Sequence, residues 1–430
     1  MLPLSLVQTL ALAWGCVSAE GAYREGMALE VDGDYAAAAD AYARALGRDR
    51  NLPNVHGRLR VAGREAVRRW TAGAGALDPV GAADAYLAAD GLVRRAAAVG
   101  VDLERPASFE TDRDARFDIA VDDLLRQSDG AAFAGDYAGA LRRVDRARAF
   151  RPSPEHRAEL DAAARDAYAG WAEADARLGR YRAAYGRIQS ALALTPPDDP
   201  ATNRLLDVLD RIVVEGTVVA AVFPAGAVGD SVPPRLARDV AEVLADEELA
   251  ALPPLLALAD PADVRRALRR QPTRRGAADR IGSPRRAAEL AREVGADLGV
   301  TVEVGPFGEE RTAGEAREER VRLRRGAREV TVRRRTDRLA LTADAAFAVV
   351  DARSGRVVCE GEARERASGS YEIGLYDGDW ADLDLPRSAR DAFRPDAADV
   401  AFEDLLAELR DALAASLAER AVRCLEAQVP

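Results

Sequence analysis

The chain of 430 residues is 48% apolar and 31% charged, and its net charge is −11. This balance is typical of globular proteins and excludes a collagen-like or largely disordered chain. The length is about twice what one hydrophobic core organises, so more than one domain is expected, and the negative charge disfavours a nucleic-acid partner.

The first predicted element is a short, uncharged apolar stretch at residues 4–14. It has the length of the apolar region of a signal peptide and is too short to span a bilayer. The residues before Cys16 resemble the bacterial lipobox, after which the Cys carries lipid. Trp14 is bulky for this motif and no basic residue precedes the stretch, so a cleaved secretory protein, a misassigned start or a buried helix stays open. We predict a signal segment at residues 1–20 with lipidation at Cys16.

This export signal predicts a periplasm-facing protein of the cell envelope, held by lipid at the outer membrane. If Cys16 is lipidated, Cys359 and Cys424 remain as an even pair in an oxidising compartment, where they can form a disulfide. Two buried reduced thiols would give the same sequence pattern. A metal site is not expected, because the Cys residues lack Cys-x-x-Cys spacing and the His residues are His56 and His156.

A repeated pattern follows at residues 21–212. In three segments a Tyr is followed by Ala at +3, a large apolar residue at +7 and Ala at +10. Each Tyr comes directly after a turn that contains Gly, which can end one helix before the next begins. The residues of the pattern are Gly26, Tyr35, Ala38, Tyr42 and Ala45, then Tyr137, Ala140, Val144, Ala147 and Pro152, then Tyr181, Ala184, Ile188, Ala191 and Pro196.

The pattern resembles the tetratricopeptide repeat. In that repeat the second helix carries small residues against the first helix and an aromatic residue against the next repeat. Tyr35 and Tyr137 are separated by three repeat lengths of about 34 residues, so degenerate helical pairs are expected between them, including one long helix at residues 80–98. The resemblance implies a surface for envelope proteins or peptides. A spacer without a binding role is the alternative.

The remainder of the chain, residues 216–430, predicts a second domain with mixed elements. Clustered β-branched residues predict strands, and Ser283 before Pro284 predicts a helix start. The predicted strands are 216–228, 300–304, 345–350 and 356–359, and the predicted helices are 233–249, 261–270, 283–294 and 400–420.

Three features of this second domain resemble a known family. They are the helix, Gly-Ala-Asp and strand run at residues 288–304, the hairpin at residues 349–358, and the closing helix. They resemble the CsgG-type curli-assembly domain, which is similar in build to lipoprotein activators of penicillin-binding proteins. The resemblance implies a three-layer-like α/β domain, of the α+β kind with a mixed sheet, that acts in envelope assembly. The predicted fold class is therefore multidomain, with all-α tetratricopeptide-like repeats followed by a CsgG-like α/β domain.

Secretion-channel members of that family carry barrel-forming hairpins on either side of the short hairpin. Each barrel strand needs alternating lipid-facing apolar residues. Here the first insert, residues 305–339, is rich in Arg, and the second, residues 366–393, is rich in Asp and interrupted by Gly369, Gly374, Gly378 and Pro386. A secretion pore is therefore not expected, although an oligomeric ring or channel component, and hence a homo-oligomer, is kept as an alternative.

The first insert predicts a polar hairpin that turns near Gly326, with Val321 and Leu323 opposite Val330 and Val332. Its Arg side chains suit contacts to an acidic partner or to phosphates. Alternatively, they are solvated and pair with Glu309, Glu310, Glu315, Glu318 and Glu319. The candidate contact residues are Arg322, Arg324, Arg325, Arg328, Arg333, Arg334 and Arg335.

No motif of a known catalytic class occurs, and two His residues leave little for acid-base chemistry near neutral pH. We therefore predict a non-enzymatic envelope scaffold or assembly factor without a cofactor. One acidic and aromatic cluster keeps a glycan-processing enzyme as a further alternative. An exposed acidic loop is the simpler interpretation, and its spacing matches no known calcium loop. The cluster consists of Tyr376, Asp377, Asp379, Trp380, Asp382 and Asp384.

Overall fold

The structure is a computed structural model that describes residues 18–229, 231–249, 251–270, 283–325 and 328–430. Cys16 and Gly326 therefore lie outside the described residues. The chain divides into two compact units. The first holds the described residues up to Arg177 together with Ala184–Leu209, and the second holds Leu178–Ala183 and Asp210–Pro430. The predicted order of a helical region followed by an α/β region with a mixed sheet is confirmed.

Tight turns with glycine separate the paired helices of the helical region. Gly33, Gly135 and Gly179 have φ values of 79°, 81° and 72°, a conformation that glycine adopts without strain. Asp34 then caps the following helix by accepting the N–H of Ala37 at 3.0 Å. The helices are α1 (Ala19–Val31), α2 (Tyr35–Arg48), α3 (Val55–Gly73), α4 (Pro79–Ala98), α5 (Phe109–Phe133), α6 (Tyr137–Arg148), α7 (Pro154–Arg177), α8 (Tyr181–Ala193) and α9 (Ala201–Gly216).

Each helix from α1 to α6 packs against the helix that follows it in the chain. This neighbour-to-neighbour packing is the physical basis of a helical repeat array, in which a continuous core forms by stacking. Tyr42, Phe109 and Phe150 are among its largest fully buried side chains. The helix predicted at residues 80–98 is α4, with Ala83 and Val93 in the same core.

One carboxylate is buried within this helical core. Asp90 on α4 is 5% exposed and lies 3.2 Å from Arg94, 3.3 Å from Arg113 on α5 and 3.2 Å from Arg151 in the loop before α7. A buried charge is tolerated when nearby opposite charges compensate its lost hydration. This cluster therefore joins three separate segments of the chain through a single side chain.

The second unit is built on one mixed sheet of six strands. Strand β1 (Val218–Ala227) pairs in parallel with β2 (Leu256–Leu258) on one side and with β3 (Leu298–Thr312) on the other. The remaining pairs are antiparallel and join β5 (Glu329–Asp351) to β3, to β4 (Arg317–Arg322) and to β6 (Val357–Leu375). Strands β2, β4 and β6 each pair with a single neighbour and are therefore edge strands.

Four helices cover the two faces of this sheet: α10 (Leu236–Val243), α11 (Pro261–Arg269), α12 (Pro284–Glu293) and α13 (Ala397–Glu426). Ala221 and Phe223 of β1 share a core cluster with α11 and α12. Helix α10 contacts β1, β3 and α13, and α13 also covers β5 and β6. Because strand side chains alternate between faces, the two helix sets lie on opposite sides of the sheet. This arrangement has three layers.

The strands are longer than the sequence pattern predicted. Residues 300–304 are only part of β3, and the predicted pair at 345–350 and 356–359 is the end of a ladder that runs to Leu375. The expectation that Gly interrupts the second insert from residue 366 was wrong, because β6 continues through Gly369 and Gly374. At both positions a large side chain fills the space that glycine leaves, from Leu405 and Phe393 respectively.

Candidate functional site

The Tyr at the start of each predicted repeat helix contacts the helix that follows. The ring of Tyr137 on α6 stacks on that of Trp171 on α7, with centroids 6.4 Å apart. A Cβ added to Gly170 would lie 2.8 Å from the Tyr137 ring, closer than real Cβ contacts. Trp171 in turn lies under the guanidinium of Arg187 on α8, 3.7 Å from its ring centroid. This aromatic contact therefore links three successive helices.

The other two Tyr residues make equivalent contacts. The guanidinium of Arg69 on α3 lies 4.4 Å from the ring centroid of Tyr35. At the end of α9, a Cβ on Gly216 would lie 2.5 Å from the side chain of Tyr181. In each case the contacted residue belongs to the next helix. These partners were missed from the sequence, because nothing in the local pattern indicates which residue of the next helix each Tyr contacts.

The small and buried positions of the pattern form the interior of the helix pairs. A Cβ on Gly26 would lie 2.5 Å from the ring of Tyr42, whose hydroxyl donates to Glu30 at 2.6 Å. Burial, together with the negative charge of Glu30, raises the pKa of Tyr42. Pro152 and Pro196 follow the ends of α6 and α8. No exposed surface remains on Ala38, Ala45, Ala140, Ala147, Ala184 or Ala191.

The Ala residues of the pattern therefore build the interior of the helical region, whereas Tyr35, Tyr137 and Tyr181 are half-buried and Pro196 is exposed. The two most exposed large apolar side chains of this region lie beside turns. Phe133, two residues before Gly135, is 98% exposed, and Val31, two residues before Gly33, is 87% exposed. Large apolar side chains exposed singly are normal on protein surfaces and do not by themselves indicate a binding site. Neither residue belongs to the predicted pattern, although each stands two residues before its turn glycine.

The Arg-rich insert forms the predicted hairpin from β4 and the start of β5. Val321 lies opposite Val330, as predicted, but Val332 lies opposite Glu319. Leu323 pairs instead with Leu383. The predicted register was therefore wrong for half of this apolar face, because Leu383 comes from the second insert and its approach cannot be inferred from hairpin spacing.

Three of the seven candidate Arg residues have acidic partners. Arg334 lies between Glu319, at 3.2 Å, and Glu372, whereas Arg335 pairs with Asp337 and Arg322 with Glu329. The acids Glu309 and Glu310 pair outside the set, with Arg311 and Arg366. Within the described residues, no ion pair involves the other candidates, which are Arg324, Arg325, Arg328 and Arg333.

The acidic and aromatic cluster packs directly against this hairpin. The N–H of Arg324 donates to the carbonyl of Asp382 and the N–H of Asp384 to that of Arg322, both at 2.8 Å. Tyr376 and Trp380 join Val321, Val332, Leu383, Leu385 and Phe393 in a small core. The two inserts thus form one structural element. Across the described residues, no group of three His, Cys, Asp or Glu side chains is arranged to hold a metal ion.

The two Cys residues of the second unit form a disulfide. Cys359 near the start of β6 is joined to Cys424 near the end of α13, with Cα atoms 5.9 Å apart. The bond fastens the last helix to the sheet at one end. Among the helices that the structure describes, none is long and apolar enough to cross a membrane.

Comparisons with known proteins add little to this geometry. No protein-family model matches the chain, and no curated protein matches it. Among solved structures, the hypothetical protein CT253 from Chlamydia trachomatis is similar at 15% sequence identity. The alignment covers 46% of this chain and 99% of that one, with a TM-score of 0.14. A TM-score this low does not establish a common fold.

Proposed function

We propose that the protein is a non-enzymatic scaffold or assembly factor of the bacterial cell envelope. Its tetratricopeptide-like helices would bind a partner protein or peptide, and its CsgG-like domain would act through further protein contacts. The observation that carries this proposal is the recurrent packing of Tyr35, Tyr137 and Tyr181 against a later helix. An array held together by such contacts presents an extended surface without a catalytic constellation.

The CsgG-like assignment is supported by the hydrogen bonds that the Gly-Ala-Asp run at residues 295–297 makes. Gly295 has a φ of 74° and ends α12, and Asp297 follows at the start of β3. The Asp297 carboxylate accepts the N–H of Val219 at 3.1 Å, and its carbonyl accepts the N–H of Ala352 at 2.8 Å. One residue therefore ties β1 and β3 to the short hairpin between β5 and β6. These hydrogen bonds explain why an Asp is needed at this position of the motif.

The proposed localisation in the cell envelope rests on the predicted lipidation of Cys16 and is supported by the Cys359–Cys424 disulfide. Disulfides persist mainly in oxidising compartments such as the periplasm. The expected location is the periplasmic side of the envelope, at the outer membrane.

The test is intact mass and fractionation of the protein expressed in a bacterial host with its native N-terminus, beside Cys16→Ser. A lipidated, membrane-bound native form and an unlipidated variant would support the envelope proposal. Two uncleaved forms in the cytoplasm would refute it. Light scattering of the detergent-solubilised protein then separates the alternatives. A monomer or small oligomer is expected for a scaffold, and a large, stable ring would support the channel component instead.

A further inference from the structure

A groove lies at the free edge of β1, between α10 and α11. Strand β2 pairs only with Val218–Ala220, and Ala259 donates its N–H to Ala220 at 2.8 Å as the chain turns into α11. From Val222 onward, within the described residues, β1 is paired on its β3 side alone. The helices stand on either side of this edge and enclose a cavity of about 430 Å³.

The floor and walls of this groove are mostly apolar. Val222 from β1, Leu258 from β2, and Val264 and Leu268 from α11 line it. Backbone groups of alternate strand residues point to the same side. The N–H of Val218 donates to Leu255 and the carbonyl of Ala220 accepts from Ala259, the residues on either side of β2, so Pro224 faces the same free edge. Proline has no N–H, so this edge cannot complete a ladder with an added strand. The groove therefore suits a ligand that needs no backbone pairing.

The backbone around the groove has two uncommon conformations. The N–H of Leu249 donates to the carbonyl of Leu244 at 2.9 Å, which makes one π-helical turn after α10. That turn places Ala245 and Asp246 on the groove wall. Leu255, the residue before β2, has a φ of 70°, which is rare for a bulky side chain. Such conformations cost free energy and concentrate at ligand sites.

Some of the Arg residues at the groove mouth pair with an acidic side chain and others do not. Arg238 is held by Glu242 at 2.8 Å. In the part of the chain that the structure describes, Arg265 and Arg269 have no acidic partner, and they are exposed one helical turn apart on the groove side of α11. Their neighbours Arg266, on the same helix, and Arg270, at its C-terminal cap, pair with Asp263 and Glu293.

We propose that this groove binds a linear acyl chain with an anionic head. The chain would lie on the apolar floor, and Arg265 and Arg269 would hold the carboxylate or phosphate by charge-assisted hydrogen bonds. Dodecanoate, a linear chain with a single anionic head, is the probe chosen for a groove of this size. Asp246 on the opposite wall disfavours a head that carries more negative charge than the two Arg residues neutralise.

The test is calorimetric titration of the full chain with dodecanoate below its micelle concentration. Saturable binding is expected, and Arg265→Gln with Arg269→Gln should weaken it at least tenfold. The matched control, Arg266→Gln with Arg270→Gln, removes the same charge from α11 and its C-terminal cap and should change affinity less than twofold. Dodecanol, which has the same chain with an uncharged head, should bind the native protein as weakly as dodecanoate binds the first variant.

A second variant tests the apolar part of the groove. Ala245→Phe places a large ring in the cavity and should abolish binding of dodecanoate and dodecanol alike, with its fold checked by circular dichroism. Lauroyl lysophosphatidylglycerol separates the two sources of the ligand, since its binding would indicate lipid headgroups and its exclusion would indicate free fatty acids. Absence of dodecanoate binding, or equal affinity in both double variants, overturns the proposal. Binding of the peptide acetyl-Val-Thr-Val-Thr-Val-amide in place of dodecanoate would also overturn it, in favour of strand addition.

Discussion

Removing the Cys359–Cys424 disulfide should destabilise the second unit by a predictable amount. The bond closes a loop of 65 residues between β6 and the end of α13. Cross-linking a loop of this length lowers the entropy of the unfolded chain, which corresponds to about 4 kcal/mol of stability at 25 °C. The variant to make is Cys359→Ala with Cys424→Ala, because Cys424 is only 9% exposed and a buried Ser hydroxyl would add a cost of its own.

The assay is urea unfolding followed by circular dichroism, with the transition of the second unit identified by hydrogen exchange of β6 and α13. For a slope of about 2.5 kcal/mol per molar urea, the midpoint should fall by about 1.5 M. A reducing agent should lower the midpoint of the native protein equally and leave that of the variant unchanged. A Cys16→Ser background removes any exchange with the remaining thiol.

Two results would refute this reasoning. A midpoint shift below about 0.5 M would mean that the unfolded chain is not appreciably constrained by the bond. A shift in the variant without any response of the native protein to reductant would mean that the substitutions act through packing around Cys424.

Three further predictions concern single side chains. Asp90→Ala should cost about 1.5–3 kcal/mol of unfolding free energy in urea, because it removes a buried carboxylate that pairs with Arg113 while Arg113 keeps Glu110 and Asp114. Exposed Asp114→Ala should cost less than about 1 kcal/mol. Gly170→Ala should cost about 1–3 kcal/mol by crowding Tyr137, whereas Gly130→Ala, which meets no atom within 4 Å, should stabilise α5 slightly in thermal unfolding. Hydrogen bonds from the Ser354 hydroxyl and N–H hold the pKa of Asp351 below its ordinary value. The stability that comes from this lowered pKa is present above the unfolded pKa of about 3.9 and is lost as pH falls through the folded pKa. Ser354→Ala should therefore raise the pKa of Asp351, which carbon NMR can follow. An unchanged titration would contradict the assigned cause.

Much of the fold could be predicted where its cause is local. Gly33, Gly135 and Gly179 end helices through their own backbone freedom, and Ser283 caps α12 by accepting the N–H of Arg286 at 3.3 Å. The turn from Asp351 to Gly355 is likewise closed by hydrogen bonds within five residues. Each of these features depends on neighbours in the sequence, so the pattern of residues was sufficient.

The candidate sites were predicted only in part for the same reason. The repeat pattern identified Tyr137 and Tyr181, but their partners Gly170 and Gly216 belong to other helices. The Arg-rich and Asp-rich inserts were recognised separately, yet the bridge between Leu323 and Leu383 joins them into one element. Strand register, in particular, is decided by which apolar side chain a distant segment supplies.

The sequence alone determined the order of helical and α/β regions, the positions of the turns, and the residues that start most helices, because these depend on propensity and capping over a few residues. Only the tertiary structure decided the full length of β5 and β6, the ion cluster at Asp90, and the groove between α10 and α11. Strand pairing and burial bring together residues that are far apart in the chain. The free energy of these long-range contacts cannot be inferred from the sequence around either residue alone.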